Sequence, residues 1–253
     1  MPKSIIITGA SSGIGKALAL QYANQGVCLG LIARNRERLE ETAALCRGKG
    51  AVVEILSCDI HAHEALSEWM KAFDKRYPVD LVISNAGISG GTGKQGDIEP
   101  IEKIESIFQT NVMDAIFVGQ CLFEEMKKRG NGQIAFTGSI AGFQGWAGAP
   151  AYTASKSALH TYAEGLRMLA VRHHIGVSII APGFVKSAMT DQNNFPMPFM
   201  LNAEKAAIII QKGIQKNRKY IIFPLQMHLI SIMSRLLPEV FLNWLSKRIN
   251  GKN

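Results

Sequence analysis

Tyr152 and Lys156 stand four positions apart in "YTASKSALH" (152–160), with only small residues between them. On a helix, positions i and i+4 share a face, so the phenol and the ammonium would project the same way. A phenol with a pKa of about 10 is a poor acid or base near neutrality. A fixed positive charge beside it favours phenolate and moves that pKa towards the working range. The pair could then exchange a proton with a substrate oxygen. Taken alone, such a pair is more often an exposed helix carrying one Tyr and one Lys, so the weight must come from what else the chain brings to it.

The chain around the pair alternates short β-branched runs with longer amphipathic stretches. "SIIIT" (4–8), "VCLGLIA" (27–33), "AVVEILSCD" (51–59), "VDLVISNAG" (79–87), "GQIAFTGS" (132–139), "GVSIIAPG" (176–183) and "KYIIF" (219–223) read as strands. Helical patterns fill the gaps: 16–26, ending on Gly26, then 36–50, a stretch through Trp69 and Phe73, and a long run over 101–129. The Tyr/Lys segment opens the next helix, which continues to about His173. Strands separated by helices predict a parallel sheet covered on both faces, since each right-handed crossover needs its helix. The expected fold class is α/β, a doubly wound parallel sheet in three α/β/α layers, as a single domain. In such sheets ligands bind outside the carboxyl ends of the strands.

The residues that follow the strands match that rule. After the first comes "TGASSGIG" (8–15), with glycines at 9, 13 and 15. The spacing is G-x-x-x-G-x-G, yet the physics is that of a dinucleotide loop: a tight turn, close backbone approach to a pyrophosphate, and a helix N-terminus to stabilise its charge. A merely Gly-rich turn is the plainer reading, but the place between a first strand and a helix favours phosphate.

After the second strand, an acidic residue would hydrogen-bond the adenosine ribose and select NAD. This chain has Ala33, then Arg34, and an arginine suits a ribose 2′-phosphate; Asn35 could add a hydrogen bond. A solvated arginine is the plainer reading, since Arg36 and Arg38 follow. NADP is expected over NAD. Asp59, after the third strand, could accept from the adenine amino group. "NAG" (85–87) offers small residues against which a cofactor could lie, and Ser139 places a hydroxyl thirteen positions before Tyr152. "PG" (182–183) and "FVKS" (184–187) follow the sixth strand.

In order and spacing, "TGASSGIG", "NAG", Asn111 in "TNV", Ser139, "YTASK" and "PGFV" closely resemble the short-chain dehydrogenase/reductase family in its single-domain form of Rossmann type. The resemblance covers residues 4 to about 190, and what it implies is an NAD(P)-dependent oxidoreductase interconverting a carbonyl and an alcohol. By resemblance, Tyr152 is the general acid/base. Lys156 lowers its pKa and hydrogen-bonds the nicotinamide ribose, Ser139 orients the substrate oxygen, and Asn111 holds a water in the proton relay to Lys156. Gly9, Ser12, Gly13, Ile14 and Gly15 match the phosphate loop; Asp59, Asn85, Ala86 and Gly87 match the adenine and ribose wall. Pro182, Gly183 and Val185 match the nicotinamide edge. Family members often have Thr where this chain has Ser187, which keeps a hydroxyl for the carboxamide. NADP-linked members often carry a basic residue where Ser12 stands, which leaves Arg34, helped by Lys16, to choose the cofactor.

Composition bounds the remainder. The 253 residues are 47% hydrophobic and 19% charged, enough apolar material for one large domain. The four cysteines, Cys28, Cys46, Cys58 and Cys121, show no metal-ligand spacing, and the N-terminus lacks a signal-peptide apolar region. A cytoplasmic location is expected. No metal is assigned; His61, His63, His173 and His174 read as solvated surface residues. Residues 1–200 carry 19 Lys and Arg against 18 Asp and Glu, while 201–253 carry 9 against 2. The basic character thus belongs to the C-terminal fifth, which argues against a whole-domain nucleic-acid surface.

The expected division is a catalytic domain over 1–222 and a basic amphipathic extension over 223–253. A Phe-, Met- and Pro-rich lid over 190–202 favours a lipophilic ketone, aldehyde or 3-oxoacyl substrate; simple anchoring of a loop is the plainer reading. In the extension, apolar runs alternate with His228, Arg235, Lys247 and Arg248, and Trp244 suits a headgroup boundary. Packing on its own domain or in a homodimer or homotetramer is favoured over peripheral membrane contact. The alternative functions are a catalytically quiet NADP-binding regulator and a peripheral membrane protein acting through this tail.

Overall fold

The computed structural model describes residues 2–92, 97–187, 189–190 and 196–235. Its strands are β1 (Ser4–Thr8), β2 (Cys28–Ala33), β3 (Val52–Ser57), β4 (Leu81–Ser84), β5 (Gly132–Thr137), β6 (Ile175–Pro182) and β7 (Tyr220–Phe223). All pair in parallel, in the order β3-β2-β1-β4-β5-β6-β7. The order reverses between β1 and β4, so the crevice beyond their carboxyl ends is where such a sheet binds its ligand.

The helices are α1 (Gly13–Tyr22), α2 (Arg36–Gly48), α3 (His63–Arg76), α4 (Ile101–Phe108), α5 (Ala115–Gln120), α6 (Phe123–Arg129), α7 (Pro150–Ala170), α8 (Ala203–Gln215) and α9 (Leu225–Arg235). The alternation of β1 divides them into two layers. Ile5 and Ile7 pack with Leu18 of α1, Leu39 of α2 and Ile210 of α8. Ile6 points the other way, into a core with Phe73 of α3, Val118 of α5, Met126 of α6 and Leu159 of α7. Every residue of β1 is buried, as a central parallel strand covered on both faces requires. The structure is the doubly wound, three-layer α/β sheet of Rossmann type.

Two expectations about helices need correction. The pattern over 101–129 is not one helix. After α4 the chain forms a π-helical turn over Gln109–Asp114, resumes as α5, and breaks again before α6. A π-helical stretch of one turn is too short to show a period of its own in the sequence. Helix α1 also stops earlier than Gly26, at Tyr22, and Gly26 instead takes a positive φ of 80° in the turn to β2.

Phe223 closes β7 and is 3% exposed, so the 222/223 boundary falls inside the sheet. Of the extension, α9 is described; Trp244, Lys247 and Arg248 lie outside the described residues. Leu225, Leu229 and Met233 stand at i, i+4 and i+8 along α9 and are all more than half exposed. Among the described residues no helix is long and apolar enough to cross a membrane.

Candidate active site

The carboxyl ends of β1, β4 and β5 are tied together by two threonines and an asparagine. Thr8 Oγ1 accepts from the main-chain N–H groups of Asn85 (2.9 Å) and Ala86 (3.1 Å), and Asn85 Nδ2 donates to the Thr8 carbonyl (3.0 Å). Thr137 Oγ1 donates to Asn85 Oδ1 (3.3 Å). This network fixes the Asn85-Ala86-Gly87 segment against the sheet. Sequence reasoning gave Thr8 and Thr137 no role; their signal was only that each is the last residue of a strand.

The 8–15 loop leads into α1 with Ser12 as the residue before the first turn. Ser12 makes no capping bond to that turn, and the turn carries no acidic residue. The N–H groups of that turn thus have no side-chain cap from Ser12, the arrangement in which a helix start suits an anion. Gly15 is tolerated alone here: a Cβ on it would stand 2.2 Å from the Gly9 carbonyl oxygen. Gly13 takes a positive φ of 51°, and a Cβ there would meet Ser187 at 3.2 Å, so Ser187 borders the loop.

Arg34 and Asp59 form an exposed ion pair at 3.6 Å. The Asp59 carboxyl is held below its usual range, first by the His61 N–H it accepts (3.0 Å), with His61 and Arg34 adding to the effect against burial. Asn35 Oδ1 caps α2 by accepting from the Arg38 N–H (2.9 Å), which leaves its amide nitrogen as what it can offer a phosphate. His61 and His63 are not simply solvated. Both imidazoles meet the carboxylate of Asp114, a fully buried residue of the π turn; His63 Nε2 lies 2.8 Å from Oδ1, which Gln109 also reaches at 2.9 Å. Among the described residues no group of three or more His, Cys, Asp or Glu is arranged to hold a metal.

Tyr152, Lys156, Ser139 and Asn111 converge next to this segment. Tyr152 and Lys156 lie in the first two turns of α7, whose helical N-terminus begins with Pro150. Lys156 is 5% exposed and donates from Nζ to the Thr137 carbonyl at 2.9 Å; Nζ stands 5.8 Å from the Tyr152 ring centroid. A Cβ on Gly87 would come within 3.5 Å of Nζ and 3.0 Å of Asn111 Oδ1, so Gly87 sits against both. Ser139 caps a short 3-10 turn (Ile140–Phe143), accepting from the Ala141 N–H at 3.1 Å and donating to the Pro182 carbonyl at 3.4 Å.

The fully buried Asn111 side chain binds both main-chain groups of Ile88, accepting from its N–H (2.9 Å) and donating to its carbonyl (2.9 Å), and also donates to Ser155 Oγ (3.1 Å). Ser155 was not foreseen, although it stands three positions after Tyr152 on α7.

The charge of Lys156 is not the fixed one that its spacing to Tyr152 suggested. Burial pulls the ammonium down to about 8. Burial also raises the Tyr152 phenol above its ordinary value, and the force opposing that rise is a hydrogen bond with Ser139. The hydroxyl of Ser139 thus moderates the phenol. Both ionisable groups are desolvated, which disfavours their charged forms.

Pro182 ends β6, and the Gly183 N–H donates to the Phe223 carbonyl (2.8 Å). Val185 bridges to Leu201, and the Ser187 N–H donates to Thr190 Oγ1 (2.9 Å). Within the expected lid, 191–195 lie outside the described residues; Phe199 and Met200 are exposed, while Asn202 caps α8 by accepting from the Lys205 N–H (2.9 Å). A Cβ on Gly183 would meet Met227 of α9 at 3.5 Å, which brings α9 to the same edge. A separate cavity of about 450 Å³ is lined by Phe143, Trp146, Pro150, Thr153 and Ser157, but by neither Tyr152 nor Lys156.

A glycine-shaped loop before an uncapped helix start, small residues at Asn85–Gly87, and Lys156 beside Gly87 fit a dinucleotide laid across the β1/β4 switch point. Residues 3–197 match the family described as short chain dehydrogenase. The chain belongs to that family and is an NAD(P)-dependent oxidoreductase acting on a small molecule. An uncharacterized oxidoreductase of Myxococcus xanthus is 34% identical over 248 residues, which cover 98% of this chain and 97% of that protein.

A short-chain dehydrogenase from Sphingobium yanoikuyae, solved in complex with NADPH, superposes with a TM-score of 0.80 at 24% identity, covering 98% and 96% of the two chains. One from Burkholderia phymatum, solved in complex with NAD, does so with a TM-score of 0.81 at 22% identity, covering 96% and 95%. These two likenesses bear on the fold.

Proposed function

We propose that this oxidoreductase reduces a lipophilic ketone or aldehyde to an alcohol, with NADPH as hydride donor and Tyr152 as general acid. The observation that carries the reading is the convergence of Tyr152 with Ser139 and of Lys156 with Thr137 and Gly87 at the end of β5. The Tyr152 hydroxyl gives its proton to the substrate oxygen while Ser139 orients that oxygen. The phenolate left behind is stabilised by the Lys156 ammonium, which also delivers the replacement proton. Asn111 fixes the Ile88 backbone beside Lys156, a place suited to ordering a water that refills this relay. When bound, the nicotinamide supplies the hydride to the carbonyl carbon.

Selection of NADPH rests on Arg34. Its pair with Asp59 is exposed on both sides, and such a pair contributes only about 0–1 kcal/mol, so Arg34 can turn to a 2′-phosphate at small cost. The neighbours solved with NADPH and with NAD show that this fold accommodates both cofactors, so the local residues decide. Support for a lipophilic substrate comes from Phe199, Met200 and the approach of Met227 to Gly183.

The test is thermal stabilisation by NADPH and by NADH, followed by turnover of 2-decanone and trans-1-decalone. A ligand at 100 times its Kd adds about 2.7 kcal/mol of stability. Stabilisation by NADPH far above that by NADH, with decalone reduced, is the expected result. Equal stabilisation overturns the Arg34 assignment, and binding without turnover of either ketone overturns the substrate class.

A second reading concerns α9. Its exposed stripe of Leu225, Leu229 and Met233 supports self-association through this helix. Leu229→Gln is expected to lower the oligomeric mass in sedimentation. An unchanged mass, with loss of binding to anionic vesicles instead, would move the surface to a membrane.

A further inference from the structure

His160 stands one turn beyond Lys156 on α7, at the same spacing that separates Lys156 from Tyr152. It is 4% exposed. Its ring fills the space beneath the turn that carries Ser139: a Cβ on Gly138 would lie within 2.2 Å of Nε2, and one on Gly142 within 3.0 Å of Nδ1. The main-chain N–H of Ser139 donates to Nε2 at 3.4 Å. An accepting Nε2 places the ring proton on Nδ1, a buried atom without a hydrogen-bond partner among the described residues.

The opposite side of the ring meets Phe143 (centroids 4.9 Å apart) and Tyr220 of β7 (5.5 Å). Phe143 in turn packs on His228 of α9 at 5.0 Å.

The plain reading is a histidine used as core filler. Against it, an apolar ring would occupy this aromatic pocket without leaving a buried polar nitrogen unpaired, a state that is costly. What imidazole has and a hydrocarbon ring lacks is an acceptor at Nε2, and that acceptor faces Ser139, whose hydroxyl meets the Tyr152 phenol. Burial, together with the charge of Lys156, draws His160 down to about 4 against the opposing pull of Glu164, so Nε2 stays an acceptor near neutrality.

We propose that His160 is a positioning residue, whose ring wedges the Gly138–Gly142 turn and whose Nε2 holds the Ser139 main chain, keeping the Ser139 hydroxyl within reach of Tyr152. Through Phe143 and His228, the seating of α9 bears on the same turn. This rests on the reading of Ser139 and Tyr152 given above.

The test uses ligand-free full-length protein labelled with 13C at tyrosine Cζ, the Tyr152 signal being assigned by its loss in Tyr152→Phe. Ser139→Ala removes the hydroxyl and defines how that signal moves. His160→Phe is expected to move it in the same direction, whereas His160→Gln, which retains a carbonyl acceptor, leaves it near the wild-type position. In turnover of trans-1-decalone, His160→Phe is expected to lower kcat about tenfold with KM for NADPH within about twofold.

A wild-type Tyr152 signal in His160→Phe overturns the proposal, as does a Gln variant displaced as far as the Phe variant. Should His160→Phe not fold, His160→Leu takes its place against the Gln variant. If the wild type does not reduce decalone, the substrate class falls while the 13C signal still decides the role of His160.

Discussion

The Lys156 ammonium donates to the carbonyl oxygen of Thr137 at 2.9 Å, joining helix α7 to the last residue of strand β5. Thr137 is also bonded through its hydroxyl to Asn85, and Asn85 to Thr8, so the ammonium is held by the ends of three strands. The sheet, rather than the helix alone, sets where the charge sits. That charge is held under strain, because burial lowers Lys156 from 10.5 to about 8.

The folded protein therefore binds fewer protons at this site than the unfolded chain between pH 8 and 10.5. The penalty is complete below pH 8 and disappears as pH rises to 10.5. At 1.36 kcal/mol per pKa unit it amounts to about 3 kcal/mol at pH 7. Lys156→Met should relieve it, offset by about 1 kcal/mol for the lost bond to Thr137. Urea denaturation should then show this variant more stable than wild type by about 2 kcal/mol at pH 7, with the advantage gone by about pH 10.5. A less stable variant at pH 7 would contradict this.

Arg34 gives a prediction about affinity alone. A hydrogen bond to a charged group contributes about 1.5–3 kcal/mol, reduced here by exposure. Arg34→Ala should weaken NADPH about tenfold and leave NADH within about twofold, measured by calorimetry. Equal losses for both cofactors would make Arg34 a residue of general structure.

Asn111 serves the fold as well as the site. Asn111→Ala strands the N–H and carbonyl of Ile88 and removes a partner of Ser155. Unpaired buried groups cost about 1–3 kcal/mol each, so a total near 3 kcal/mol and a fall in Tm of about 6–12 °C are expected. Calorimetric Tm values within about 1 °C of each other would show that these bonds contribute nothing net.

The buried His160 predicts a loss of stability in acid. Its folded value of about 4 lies below the ordinary 6.5, so the unfolded chain binds the extra proton between those values and stability falls as pH drops from 6.5 to 4. The effect is about 3 kcal/mol at full extent. Between pH 7 and 4.5, His160→Gln should lose less stability than wild type by most of that amount in urea denaturation. Parallel losses in the two proteins would place the titration elsewhere.

Strand positions, sheet order class and the Tyr152/Lys156/Ser139 set were legible in the sequence because each depends on short-range signals: β-branched runs, glycine turns, and fixed spacing on one helix. The π turn at Asn111 was not, since it spans only Gln109–Asp114, too few residues to show a period of its own. Thr8, Thr137 and Ser155 escaped notice because their roles come from strands and helices far apart in the chain. His61 and His63 read as surface residues for the same reason: Asp114, their shared partner, is about fifty positions away. His160 stood within the first segment quoted, but nothing in the sequence places its ring under Ser139.

Tyr152→Phe tests the central claim most directly, because it removes one hydroxyl and keeps the ring that packs beside Lys156. Turnover of the carbonyl probe should fall by about 10²–10⁴-fold, the range of a general acid, while thermal stabilisation by the preferred nicotinamide cofactor stays as in wild type. A variant that binds the cofactor and still turns over at a rate near wild type would remove Tyr152 as the proton donor, and with it the proposed mechanism.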